Sequence, residues 1–266
     1  MRAIVTTKRA KVLLATTCLL ALGAAGVARA ELGQKGNIIV NFHGNIAPQK
    51  LDRDGTSPVS VLMGGKIKTT DNSVPPKLTK IVLDINRNGV IQTKGLAKCS
   101  LGTLKSLSSA GAKRKCSDAL IGHGNVTSRV NLPGQGAFAS NGPLLAFNGR
   151  HKGHEAVFAQ VSATEPLPLT YVIVFEVQKT KGTFGTRLLG TLPPIASSYG
   201  YISAFDMALS RRYSFHGKKL SYASAGCPAP KGFTQASFAF AKASYEFEDG
   251  RKVTATLNRT CKARGK

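Results

Sequence analysis

Tryptophan is absent from this chain, and aromatic residues of any kind make up only 7% of it. A sugar-stacking platform built on indole rings is therefore excluded. Acidic residues are scarce too: 13 in 266 positions against 37 lysines and arginines, a net charge of +24. A hydrolase working with paired carboxylates would have to draw on that small set. The nucleophile elbow G-x-S-x-G does not occur, nor the metalloprotease H-E-x-x-H, nor C-x-x-C or a Cys–His spacing of the zinc type. No cofactor and no metal is implied.

Long apolar runs are also missing after residue 30, where nothing approaches the roughly 20 residues a spanning helix needs. The first thirty residues are different. Arg2, Lys8, Arg9 and Lys11 stand without any acid, an Ala- and Leu-rich run follows from Val12 to Val27, and Ala28-Arg29-Ala30 closes the segment. A charged region, a short apolar region and an A-x-A site compose a secretory signal peptide. We expect Sec-type export, cleavage near Ala30 and a secreted or cell-envelope location.

Removing residues 1–30 takes away five basic residues and no acids, leaving 32 against 13, or +19 over 236 residues. That length suits one large all-β domain. Its charge favours long-range attraction to polyanions that weakens with salt. Anionic cell-wall or extracellular polymers are the partner class this permits. The basic positions look scattered: Lys66 and Lys68, Lys113 to Lys115, Arg211 and Arg212, Lys218 and Lys219, Lys262 to Lys266. With no recognition-helix, finger or RNA-binding signature, no specific nucleic acid is expected.

Four cysteines lie beyond the leader: Cys99, Cys116, Cys227 and Cys261. An even number in an exported chain reads as two disulfides. Three pairings are open, and the sequential one, Cys99–Cys116 with Cys227–Cys261, is our expectation.

Residues 31–57 read as a polar segment with a short strand at 37–42, and 58–266 as a single domain of strands. Ile81, Leu83 and Ile85 alternate with Val82 and Asp84 before Asn86-Arg87-Asn88-Gly89, a pattern typical of a hairpin. Leu101, Leu104 and Leu107 are spaced for one short helix. Strand signals follow at 121–130, 143–148, 156–163, 169–177, 187–192, 199–209, 212–215 and 220–224. A final pair, 237–247 and 252–260, is joined by Glu248-Asp249-Gly250-Arg251. Such a series argues for an antiparallel β-sandwich or jelly roll with one short helix and two disulfides.

Four constellations invite chemistry. Asp84 to Gly89 matches half of a calcium loop, but its twelfth position is Gly95 rather than Glu, so a turn suffices. His151-Lys152-Gly153-His154-Glu155 gathers two imidazoles and a carboxylate in what reads as a solvated turn. Tyr199, Tyr201, Tyr213, Phe215 and Tyr222 could line a platform, although period-2 aromatics on strands usually pack in cores. Glu176, Asp206, Glu246 and Glu248 fall on strand signals and are the candidate acids of an extracellular polysaccharide hydrolase.

One resemblance bears on the setting. Asn86-Arg87-Asn88-Gly89 before Gly95-Leu96 and Cys99, Pro143 to Gly149, Gly182 to Thr186, Ser221 to Ala225 running into Cys227-Pro228-Ala229-Pro230, and Asn258 to Cys261 together resemble a group of uncharacterised exported all-β proteins of high-GC Gram-positive bacteria. The resemblance implies a bacterial envelope setting and carries no activity with it. The expectation that follows is a non-catalytic envelope protein contacting anionic polymers, with the polysaccharide hydrolase as its rival.

Overall fold

The computed structural model describes residues 31–163, 168–196 and 199–264; the expected signal peptide lies outside them. Period-2 alternation is resolved into eighteen strands. They are β1 (Glu31–Lys35), β2 (Ile38–Ala47), β3 (Lys50–Asp52), β4 (Ser57–Pro58), β5 (Ser60–Thr69), β6 (Leu78–Asn86), β7 (Gly89–Ile91), β8 (Leu120–Val130) and β9 (Phe138–His151). Then come β10 (His154–Ala163), β11 (Leu169–Lys179), β12 (Phe184–Thr191), β13 (Gly200–Leu209), β14 (Arg212–Phe215), β15 (Lys218–Ser221), β16 (Ala223–Ala225), β17 (Gln235–Phe247) and β18 (Lys252–Arg264). The segment expected to be polar with a short strand thus supplies four strands, and β2 pairs along its whole length with β5.

Thirteen strands form one sheet in the order β1-β2-β5-β13-β8-β9-β10-β11-β12-β6-β17-β18-β3. All pairings in it are antiparallel except β18 with β3. The sheet curls until its ends meet. On β1, a Cβ at Gly33 would stand 2.7 Å from the Thr254 carbonyl oxygen of β18, so only glycine lets the two backbones approach this closely. Arg259 on β18 donates from Nε to the Gly44 carbonyl on β2 (2.6 Å), and Arg251 from Nη1 to Asn37 Oδ1 (2.6 Å). The antiparallel layers expected from the sequence are therefore opposite walls of one curled sheet.

Curling turns one face of every long strand inward. Val40 and Phe42 on β2, Leu83 on β6, Val157 and Val161 on β10, Ile173 on β11, and Tyr245 and Leu257 on the last two strands share that apolar interior. A smaller sheet, β4-β16-β7, lies across one end. The turn at Asn86–Gly89 is where the hairpin expectation fails. β6 already has β12 and β17 on its two edges, so β7 leaves the large sheet and pairs with β16. Asn86 shapes that exit by accepting from the Asn88 backbone N–H (2.9 Å).

Outside the curl sits a second core. The short helix expected near Leu101 is present as α1 (Leu101–Ser106), and α2 (Ser109–Lys115) and a 3-10 turn (Ser117–Ala119) follow it. Ser100 and Ser108 cap the two helices, each accepting a backbone N–H three residues on. Leu104 and Ala112 pack onto Leu145, Phe147, Ala156, Phe158 and Val172 from the outer face of β9–β11. β10 is consequently buried on both faces. Gln160, in its middle, holds the helical flap by donating from Nε2 to the carbonyls of Leu104 (2.8 Å) and Leu107 (2.7 Å).

Both expected disulfides are present, Cys99–Cys116 and Cys227–Cys261. The first ties the flap at its two ends. The second fastens β18 to the corner after β16.

Candidate functional site

The four candidate acids each lie against basic side chains rather than against one another. Glu176 Oε1 lies 3.1 Å from His151 Nδ1, and Asp206 Oδ1 lies 2.9 Å from His43 Nε2. Glu246 accepts from Lys252 (3.0 Å) and sits 3.1 Å from Lys80, which together hold its carboxyl below the usual range. Glu248 is 3.6 Å from Lys77. Glu176 and Glu246 stand on strands separated by β12 and β6. Three strand spacings amount to about 14 Å, beyond the roughly 5–10 Å of a glycosidase pair. Glu248 lines the clefts at one end of the sheet.

Other expectations are redistributed as well. Asp84, read as the start of a turn, is buried between Arg187 on β12 and Lys242 on β17, its direct cross-strand partners. Arg187 Nε donates to Oδ1 (2.6 Å) and Lys242 Nζ stands 3.2 Å from Oδ2. Burial drives the Asp84 carboxyl up, but the hydrogen bonds from Arg187 and Lys242 outweigh it, and the net shift is downward from 3.8. In the His151–Glu155 turn, His151 faces Glu176 while Glu155 pairs with Lys98 (3.1 Å). Among the described residues no three His, Cys, Asp or Glu side chains gather as metal ligands. The five aromatics divide: Tyr199 and Tyr201 line an end cleft, Tyr213 and Phe215 lie on the β14–β15 hairpin, and Tyr222 is buried in the interior.

What the fold does bring together is charge. Residues 92–119 carry Lys94, Lys98, Lys105, Lys113, Arg114 and Lys115 against one acid, Asp118; residues 211–221 add Arg211, Arg212, Lys218 and Lys219 and no acid. These segments are nearly a hundred residues apart in the chain, yet they pack together. Tyr213 donates its hydroxyl to the Lys94 carbonyl (2.9 Å). The Phe215 ring lies against Gly95, where a Cβ would stand 2.1 Å from the ring. Arg211 reaches Asp118, the single acid, on the 3-10 turn at 3.9 Å. Apart from the half-buried Arg211, every one of these cations is exposed. Lys113, Arg114 and Lys115 occupy the last turn of α2, where the helix dipole favours positive charge.

The interior holds the second feature, a cavity of about 130 Å³. Its wall is drawn from β2, β5 to β13, β16 and β17, and only Tyr222 and Ser224 in it carry a polar side-chain atom. Neither the charge cluster nor the cavity has a local signal in the sequence, because both arise from pairings between distant strands.

Among the described residues no helix is long and apolar enough to cross a membrane. Comparisons with protein-family models, with curated proteins and with solved structures give no match.

Proposed function

We propose that the chain is exported with loss of residues 1–30 and acts without catalysis, holding anionic polymers of the cell wall or surface against the flap and the β14–β15 hairpin. The observation that carries this reading is the packing of two adjoining segments that hold ten lysines and arginines and one acid, with Glu155 from β10 set against Lys98. Charges on adjoining segments act on a polyanion together more than the same number spread over the sheet, since screening sets in over about 8 Å at physiological ionic strength. Disulfides suit the oxidising compartment the reading requires. The flap is fixed at both ends by Cys99–Cys116 and at its middle by Gln160, so its lysines are presented on a rigid base.

The test compares two variants of equal charge on a heparin column and on purified anionic wall polymer. One carries glutamine at Lys113, Arg114, Lys115, Arg212, Lys218 and Lys219. The other carries glutamine at the exposed Lys35, Lys50, Lys66, Lys68, Lys179 and Lys181. The first should elute at clearly lower salt than the second and should lose most of the salt dependence of binding. Equal elution of the two variants would reduce the interaction to net charge. The mass of the exported protein reports the mature N-terminus in the same preparation.

A further inference from the structure

We propose that the interior cavity is a binding site for a hydrocarbon group, reached from the end of the curled sheet opposite the small sheet. The wall is apolar apart from Tyr222 and Ser224. Leu83, Leu144, Val157, Ile173, Leu188 and Met207 are typical of it, and a charged or strongly polar ligand would leave its own groups without partners there.

The void persists because of where small residues fall. Ala146 on β9 and Ala159 on β10 are direct cross-strand partners, and both face the cavity. Ala241 on β17 faces it from another wall. Alanines at these positions leave room in the middle of a core that is otherwise filled by Leu, Ile, Val and Phe. Apolar cavities of this size stay dry and accept small apolar molecules.

Access follows from strand direction. The small sheet supplies Gly89 to Ile91 and Ala223 to Ala225 to one end of the wall. At the other end, where β6 and β13 begin and β12 finishes, Leu192, Pro193, Pro194, Ile195 and Tyr201 line a cleft of about 200 Å³. Ile202 belongs to both the cleft and the cavity. Ile195 and Ile202 are both buried, so entry from this end displaces them. Two ligand sources share this chemistry: a small free hydrocarbon, held wholly inside, and the chain of an amphiphile whose head stays in the cleft.

Beyond residue 30 the chain has two methionines, Met63 and Met207, and both line the cavity. Methyl-labelled methionine NMR of the exported protein, titrated with benzene and separately with decanoate, reads occupancy directly. Saturable shifts of both methyl signals are expected with at least one probe. A free hydrocarbon is indicated if benzene binds and decanoate does not; an amphiphile is indicated if decanoate binds and also protects the cleft, seen as a shift of a fluorine label placed on Tyr201. The filled variants Ala159→Leu and Ala241→Leu should each weaken binding by about tenfold or more, since the ligand must give up its space. Two variants are used so that a folding failure in one leaves the other to decide. Unmoved methionine signals with both probes, or undiminished shifts in a folded filled variant, would overturn the proposal.

Discussion

Asp84 offers the sharpest check on how this sheet is held together. Its carboxylate is 3% exposed, between Arg187 and Lys242 on the two neighbouring strands, and those cations are 41% and 33% exposed. The asymmetry decides the outcome of mutation. Removing one cation leaves Asp84 with the other, and the remaining partner reorients, at a cost of about 1–2 kcal/mol. Removing both, as Arg187→Met with Lys242→Met, strands a buried carboxylate, for which about 3–5 kcal/mol is typical. The double loss should therefore exceed the sum of the single losses by at least about 0.5 kcal/mol, the signature of coupled sites. A second signature lies in pH. In the wild type the folded pKa is below the unfolded 3.8, so the contribution of Asp84 is complete above about pH 4 and is lost as pH falls through the depressed folded value. In the double variant burial acts alone and raises the folded pKa above 3.8. Its sign is opposite: stability from this group then falls as pH climbs above about 4, while the carboxyl ionises in the unfolded state first. Urea unfolding between pH 4 and 7, without reductant, measures both. Additive single losses, or a double variant whose deficit stays constant across that range, would refute the reasoning.

The remaining predictions concern the flap and the staples. Gln160→Leu leaves the carbonyls of Leu104 and Leu107 without their donor, so about 2 kcal/mol should be lost, and amide exchange should quicken in α1 and α2 before it does in β17 and β18. Replacing Cys227 and Cys261 together with alanine should lower stability by nearly 4 kcal/mol from loop closure over 34 residues, and replacing Cys99 and Cys116 by about 3 kcal/mol over 17. Chemical denaturation of the two variants would show the difference, and the flap variant should in addition bind heparin less tightly, because its cations lose their rigid base.

Much of the strand framework was legible before any coordinates. The final hairpin illustrates why. Phe238 and Phe240 are even-numbered, Tyr245 and Phe247 odd-numbered, so a single strand can bury both pairs only if one extra residue intervenes; the irregularity falls between Ala239 and Ala241. The sequential disulfides and the helix at Leu101 were readable for the same reason, because each depends on nearby residues. The misses share the opposite cause. Nothing around Asn86 tells that β6 already has two neighbours, so the turn looked like a hairpin. Nothing around His43 reveals that Asp206 will stand across Gly64 from it, since that follows from the registers of β2 with β5 and β5 with β13. The basic positions looked scattered because residues 211–215 meet Lys94, Gly95 and Asp118 only once the β14–β15 hairpin docks on the flap segment.

Strand β10 shows how one sequence can serve the two proposed sites without confusing them. Its run His154 to Ala163 is apolar at six of ten positions, and from Ala156 onward both its faces are buried. The inward set, Val157, Ala159 and Val161, belongs to the cavity wall; the outward set, Ala156, Phe158 and Gln160, carries the flap. Side chains on opposite faces of a strand do not touch, so a small residue at Ala159 opens space inside while leaving the seat of the helices unchanged. The polyanion surface and the hydrocarbon site should therefore vary independently. Ala159→Leu should leave heparin elution where it was, and the six-glutamine flap and hairpin variant should leave the methionine signals of the cavity in place. Cross-effects in both directions would mean that the outer core and the inner one do not act as separate layers, and the division of labour drawn from β10 would have to be abandoned.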